Sequence, residues 1–136
     1  MYEFTGFFAR PAVPRPATLP PGAVWREVTT PFTGVGVWLP GSDDKLVTPS
    51  EAEAFVRQLG LDAAECWVFL TYVCWGGDID FVYGFGSRSG VLIGPVKEDA
   101  HDAVEAAYTR LMEQFGVPAA DALDFEPFRR GYWGEG

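Results

Sequence analysis

Cys66-Trp67-Val68-Phe69-Leu70-Thr71-Tyr72-Val73-Cys74-Trp75 is a ten-residue run without a charge. Alternate residues of a strand point to opposite faces, so Trp67, Phe69, Thr71, Val73 and Trp75 share one side and Cys66, Val68, Leu70, Tyr72 and Cys74 the other. Both sides are apolar, which predicts a central strand covered on both faces. Gly76-Gly77-Asp78 turns the chain, Ile79 to Gly86 returns, and Ser87-Arg88-Ser89-Gly90 turns it again. Val91 to Val96 then closes a three-strand meander, with Pro95 near its end.

Upstream of this run lies a well-punctuated helix. Thr48 is placed to cap, Pro49 suits the first helical position, and Glu51 sits three residues after the cap, as in a capping box. Ala52, Phe55, Val56 and Leu59 make one apolar face, and Gly60-Leu61 fits a left-handed stop. Downstream, a second helix is predicted from about Glu98 to Phe115. Ala100, Ala103, Val104, Ala107, Tyr108, Leu111, Met112 and Phe115 form its stripe, and Gly116 and Pro118 end it. Ala119 to Leu123 reads as a further short helical turn.

At the start, Met1 to Ala9 reads as a strand. Residues 10–22 carry prolines at 11, 14, 16, 20 and 21, which exclude helix and central strand and predict an extended surface connection. The PxxP match inside it, Pro11 to Pro14, is read as part of that ordinary connection. Val24 to Thr30 and Val35 to Leu39 form a hairpin around the turn Pro31 to Gly34. Pro40-Gly41-Ser42-Asp43-Asp44 breaks the sheet. Residues 117–136 are expected to be an irregular tail packed on the core through Phe125, Phe128, Tyr132 and Trp133. The expectation is one α+β domain over residues 1–136 in the order β-β-β-α-β-β-β-α-tail. Strands joined by short turns cannot be parallel neighbours, so the sheet should be mostly antiparallel, with five or six strands and two amphipathic helices packed on it.

Composition narrows the function. The chain has 136 residues, a formal net charge of −9, one histidine, two cysteines and 21 aromatic residues. Its hydrophobic fraction of 48% excludes a disordered chain. The sequence pI of about 4.4 disfavours nucleic acid and anionic membrane surfaces, which need Lys and Arg in numbers. No apolar run approaches the ~20 residues of a membrane-spanning helix. The N-terminus lacks the basic and apolar regions of a signal peptide, so the protein is expected to be cytoplasmic. Cys66 and Cys74 lie in one strand at ~3.3 Å per residue, about 26 Å apart, too far for a disulfide, and read as small core residues.

Catalytic apparatus is not recognisable. His101, with Glu98, Asp102 and Glu105 nearby, is read as part of an acidic helix N-terminus and not as a metal site. Gly84-Phe85-Gly86-Ser87-Arg88-Ser89-Gly90 is not a phosphate loop, because a strand follows where the binding helix should begin. No catalytic residue, metal or cofactor is therefore assigned. Two features remain. Gly34 and Gly36, and Gly84 and Gly86 in the later strand with Asp80, share faces by parity and leave a side-chain-poor area, to be filled by a helix or by a ligand. Residues 98–126 hold eight acids against one base, Arg110.

The expectation drawn from these is a non-catalytic interaction module, immunity- or inhibitor-like in character, that masks a basic protein partner. Its binding residues would be Asp102, Glu105, Glu113, Asp121, Asp124, Arg130, Tyr132 and Trp133. The alternative is a small-molecule-binding domain or carboxylate-using enzyme, with Trp75, Asp78, Asp80 and Tyr83 around the glycine-lined face. A second alternative is a structural subunit of a homo-oligomer that buries the aromatic surplus between chains. A monomer or homodimer is expected.

Overall fold

The computed structural model describes residues 2–40, 47–76, 78–129 and 131–134. Six strands form one antiparallel sheet: β1 (Tyr2–Arg10), β2 (Val24–Val28), β3 (Gly34–Trp38), β4 (Cys66–Trp75), β5 (Asp78–Arg88) and β6 (Val91–Glu98). Their spatial order is β2-β3-β1-β4-β5-β6, so the first strand lies between the β2–β3 hairpin and the β4–β6 meander. The three helices are α1 (Pro49–Leu59), α2 (Val104–Phe115) and α3 (Ala119–Leu123). The α+β class, the antiparallel pairing and the strand number agree with the sequence reading. The break expected at Pro40 to Asp44 lies outside the described residues beyond Pro40.

β4 is interior, paired with β5 from Cys66 to Trp75 and with β1 from Cys66 to Cys74. Its two sides feed two cores. Phe69 joins Phe7, Val35, Val37 and Phe85 beneath Ala52, Val56 and Leu59 of α1. Val68 and Leu70 join Phe4, Phe8 and Val82 beneath Tyr108, Leu111, Met112 and Phe115 of α2. α1 begins as its sequence dictates. The Thr48 hydroxyl accepts from the Glu51 N–H at 3.2 Å, and the Glu51 carboxylate accepts from the Thr48 N–H at 3.2 Å. Gly60 ends the helix at φ +73°, and Leu61 is buried behind it.

α2 starts six residues later than periodicity predicts. Glu98 still pairs with Val82 in the sheet ladder, and its carboxylate then accepts from the Asp99 and Ala100 N–H groups. Those bonds commit the backbone to a turn, so Ala100 is exposed ahead of the helix and not part of its stripe, and His101 is exposed beside it. In the tail, α3 is the short helical turn expected at Ala119 to Leu123, and a 3-10 turn at Glu126–Phe128 is added to it; both pack on the α2 side. The proline-rich stretch 11–23 holds no helix or strand, and Val13, Leu19 and Ala23 pack against the α1-side core.

The sheet edges are blunted. On β6 the Gly94 N–H donates to the Gln114 side chain at 3.1 Å, and Pro95 has no N–H to offer. On β2, the exposed Arg26 is held against the tail, its guanidinium donating to the Tyr132 carbonyl, and Glu27 is exposed beside it. No helix among the described residues is long and apolar enough to cross a membrane.

Candidate functional site

The helical layer over the α2-side core presents the acidic surface. Val104, Ala107, Tyr108, Leu111, Met112 and Phe115 point inward, which leaves Glu105, Arg110 and Glu113 outside. Glu105 and Glu113 are about 12 Å apart along the axis, at ~1.5 Å per residue. α3 is fixed beside α2 because the buried Tyr108 hydroxyl donates to the Ala122 carbonyl at 2.7 Å. Burial holds the Tyr108 phenol well above its ordinary range, so it stays a neutral donor. Ala122 is buried, and Asp121, Leu123 and Asp124 face solvent. Leu123 is 50% exposed. Asp102 and Asp99 are exposed in the turn before α2.

Of the sequence-assigned binding residues, Asp102, Glu105, Glu113, Asp121 and Asp124 are thus all exposed on this layer. Asp124 also pairs with Arg129 at 3.4 Å, an exposed bridge of little energetic weight. The aromatic anchors stand elsewhere. Trp133 is 5% exposed, and its indole N–H donates to the Pro127 carbonyl at 2.8 Å. Its ring packs on Phe4 and Phe8, which makes it part of the core and not a contact for a partner. Tyr132 is half-buried, with the Arg26 guanidinium 5.0 Å from its ring centroid. Arg130 lies outside the described residues. The apolar residue that does project from the acidic layer is Leu123. It went unassigned because a leucine in a helix-forming stretch reads as a core residue.

The glycine-lined face is real but filled. Gly36 pairs with Phe8, Gly84 with Leu70 and Gly86 with Val68, so all three look toward the α2-side core. A Cβ on Gly36 would meet Trp133 Cη2 at 2.7 Å, and one on Gly84 would meet Leu111 Cδ2 at 2.6 Å. The glycines make room for a tryptophan from the tail and a leucine from α2, which leaves no groove for a ligand at those positions. Asp80 does not share that face as parity suggested. It is the extra residue of a bulge, where Val73 and Cys74 pair with Phe81 and Ile79. The bulge lets both Ile79 and Val82 enter the core.

Trp75 and Asp78 pair at the exposed end of the β4–β5 hairpin, where Trp75 is 58% exposed. Tyr83 pairs with Thr71, four residues back along β4, or about 13 Å away at ~3.3 Å per residue. Its hydroxyl donates to the Val47 carbonyl at 2.9 Å, tying the entry of α1 to β5. Trp75, Asp78, Asp80 and Tyr83 therefore do not converge on one pocket. The aromatic surplus is covered within the chain, half of it fully and nearly all the rest in part. Of its 21 aromatic residues, Trp75 alone is exposed.

The two thiols are free and differ in setting. Cys66 is buried and Cys74 half-buried, so only the first is the core residue expected of both. Burial pushes the Cys66 thiol up to about 11, against the smaller opposing effect of Arg88 and Arg10. A thiol reagent should find Cys74, the more exposed of the two, in a fast phase, with Cys66 following only as the pH climbs toward about 11. Titration with a thiol reagent checks this: Cys74→Ser should remove the fast phase, and a fast phase surviving in that variant contradicts it. The same shift has a stability consequence. The folded state holds the Cys66 proton more tightly than the unfolded chain, so its contribution is intact below the ordinary value of 9.0 and is lost as the pH rises through about 11.

No group of three His, Cys, Asp or Glu side chains among the described residues is placed to hold a metal ion. No protein-family model matches the chain, and neither does any curated protein or solved structure.

Proposed function

We propose that this protein is a non-catalytic, cytoplasmic interaction module that binds a basic protein through the outer surface of α2 and α3, in the manner of an immunity- or inhibitor-type protein. The supporting observation is the composition of that surface. Asp102, Glu105, Glu113, Asp121 and Asp124 are all exposed on one layer, and Leu123 is exposed on the same short helix as Asp121. Exposed carboxylates steer a cationic partner and reject anionic ones, and an exposed apolar residue on the same layer supplies area to desolvate. α2 and α3 sit on a rigid core, so the surface is preorganised and little ordering entropy opposes binding.

Capture from a cell lysate, followed by identification of what is retained, tests the reading. The full chain should retain a basic protein at low salt and release it as ionic strength rises. The variant D102N/E105Q/E113Q/D121N/D124N should fail to retain it. Equal capture by that variant, or a partner held regardless of salt, would overturn the proposal.

A further inference from the structure

Arg10, Cys66 and Arg88 are direct cross-strand partners on β1, β4 and β5. They form one row at the end of the sheet, on the α2 side where Cys66 enters the core. Neighbouring strands are ~4.8 Å apart, which puts the two arginine Cα atoms about 10 Å apart with the thiol between them. The row lies under the C-terminus of α2. Arg10 Nη1 donates to the carbonyls of Phe115 at 3.3 Å and Gly116 at 3.0 Å, and its Cζ stands 5.8 Å from the Phe115 ring centroid. Gly116 has φ +102°, and the space its missing Cβ leaves is taken by the Arg10 guanidinium. Arg88 Nη1 donates to the Gln114 carbonyl at 3.4 Å. Between them is a cavity of about 320 Å³, lined by both arginines, Thr33, Glu65, Cys66 and Phe115.

Capping the helix uses only part of this apparatus. Each guanidinium carries five N–H donors, and the carbonyls of α2 occupy one nitrogen of each. Among the described residues neither arginine forms an ion pair, in a chain where acids outnumber bases nearly two to one. The helix end contributes about half a negative charge and Glu65 one more at the exposed rim, against two fixed positive charges, so the local sum stays positive. Two carbonyl bonds and the Phe115 ring hold the Arg10 fork in place, which removes part of the side-chain entropy that binding would otherwise cost, while Arg88 keeps one long bond of 3.4 Å. The neutral Cys66 thiol adds no opposing charge to the floor.

We propose that this cleft is a binding site for a small phosphate-bearing anion, held between the free N–H groups of Arg10 and Arg88 with the Thr33 hydroxyl at its edge. The site lies at the sheet end, under the same C-terminal turn of α2 that carries Glu113 of the partner surface proposed above. It owes nothing to the glycines of the 84–90 segment, because the side chain of Arg88 and the register of β4 and β5 supply the chemistry.

The test is an NMR titration of the full chain at constant ionic strength, with inorganic phosphate, a small phosphomonoester such as glycerol phosphate, and chloride as separate arms. Saturable amide shifts confined to Arg10, Cys66, Arg88 and the Phe115–Gly116 end of α2 are expected with phosphate, and none with chloride. Tighter binding of the phosphomonoester assigns the site to an organic phosphate, and equal or weaker binding assigns it to the free ion. Arg88→Gln should abolish the shifts, and Arg88→Lys, which keeps the charge and loses the fork, should weaken binding about tenfold. If Arg88→Gln loses its dispersed spectrum, the Lys variant decides. Unsaturable or scattered shifts, an equal response to chloride, or unchanged affinity in a folded Arg88 variant would overturn the proposal.

Discussion

Replacing Phe8 with alanine is expected to lower the unfolding free energy by about 3–5 kcal/mol. Phe8 is fully buried at the centre of an aromatic cluster. Its ring centroid lies 5.1 Å from those of Phe4 and Phe125, 6.0 Å from Phe32 and Phe128, and 6.3 Å from Trp133. Deleting it opens a cavity between the sheet and the tail, whose surrounding rings are rigid and cannot collapse into the space. A domain of this size is stable by roughly 5–15 kcal/mol, so the change threatens the fold itself. Urea denaturation checks the expectation: the midpoint should drop sharply with the slope unchanged. A loss below about 1 kcal/mol would mean that the tail does not close this core.

Gly84→Val is expected to destabilise by about 3 kcal/mol or more, the upper end of the usual overpacking cost. A Cβ at this position lies 2.6 Å from Leu111 Cδ2 and also 2.6 Å from the Phe69 carbonyl oxygen. Leucine can change rotamer, but the carbonyl belongs to the central strand and cannot move without breaking the ladder. The sign of the effect carries the meaning. The Phe69 carbonyl opposes the valine whatever covers the face, and Leu111 adds the contact from α2, so the loss reports both together. A gain in stability, as expected of valine for glycine on an unobstructed pleated surface, would mean that neither contact is made and would restore the small-molecule reading. Thermal or urea unfolding of the variant measures it directly.

The sequence carried the elements whose signals are local. The capping box at Thr48 and Glu51, the left-handed stop at Gly60 and the two apolar sides of β4 each depend on residues within a few positions of one another. Errors arose where distant pairing overrode local preference. Periodicity extends the second helix back to Glu98, but pairing of Glu98 with Val82 keeps that residue in the sheet. Parity places Asp80 beside Val82, and the bulge between β4 and β5 breaks that parity. The row of Arg10, Cys66 and Arg88 was invisible for the same reason. Nothing local states that β1 inserts between β3 and β4, and without that order the three residues have no common place.

The candidate partner surface was legible in its charges and not in its exposed apolar residue. Carboxylates on the outside of an amphipathic helix must face solvent, so Glu105 and Glu113 could be placed from the stripe alone. Burial of an aromatic near a chain end depends on what the tail covers. Trp133 occupies the space left by Gly36, a relation between residues nearly a hundred positions apart. Leu123 is exposed because Ala122, and not Leu123, is the α3 residue that meets Tyr108.

The central claim, that α2 and α3 recognise a basic protein, is tested most directly by binding kinetics with the captured partner at two ionic strengths. Charge-neutralising changes at Asp121 and Asp124 should slow association, with the difference shrinking as salt rises, because peripheral charges act on the encounter rate. Leu123→Ala should speed dissociation to a similar degree at both salt concentrations, because it removes apolar contact from the bound state. Rates unchanged by both sets of substitutions would contradict the account and place recognition on another face of the protein.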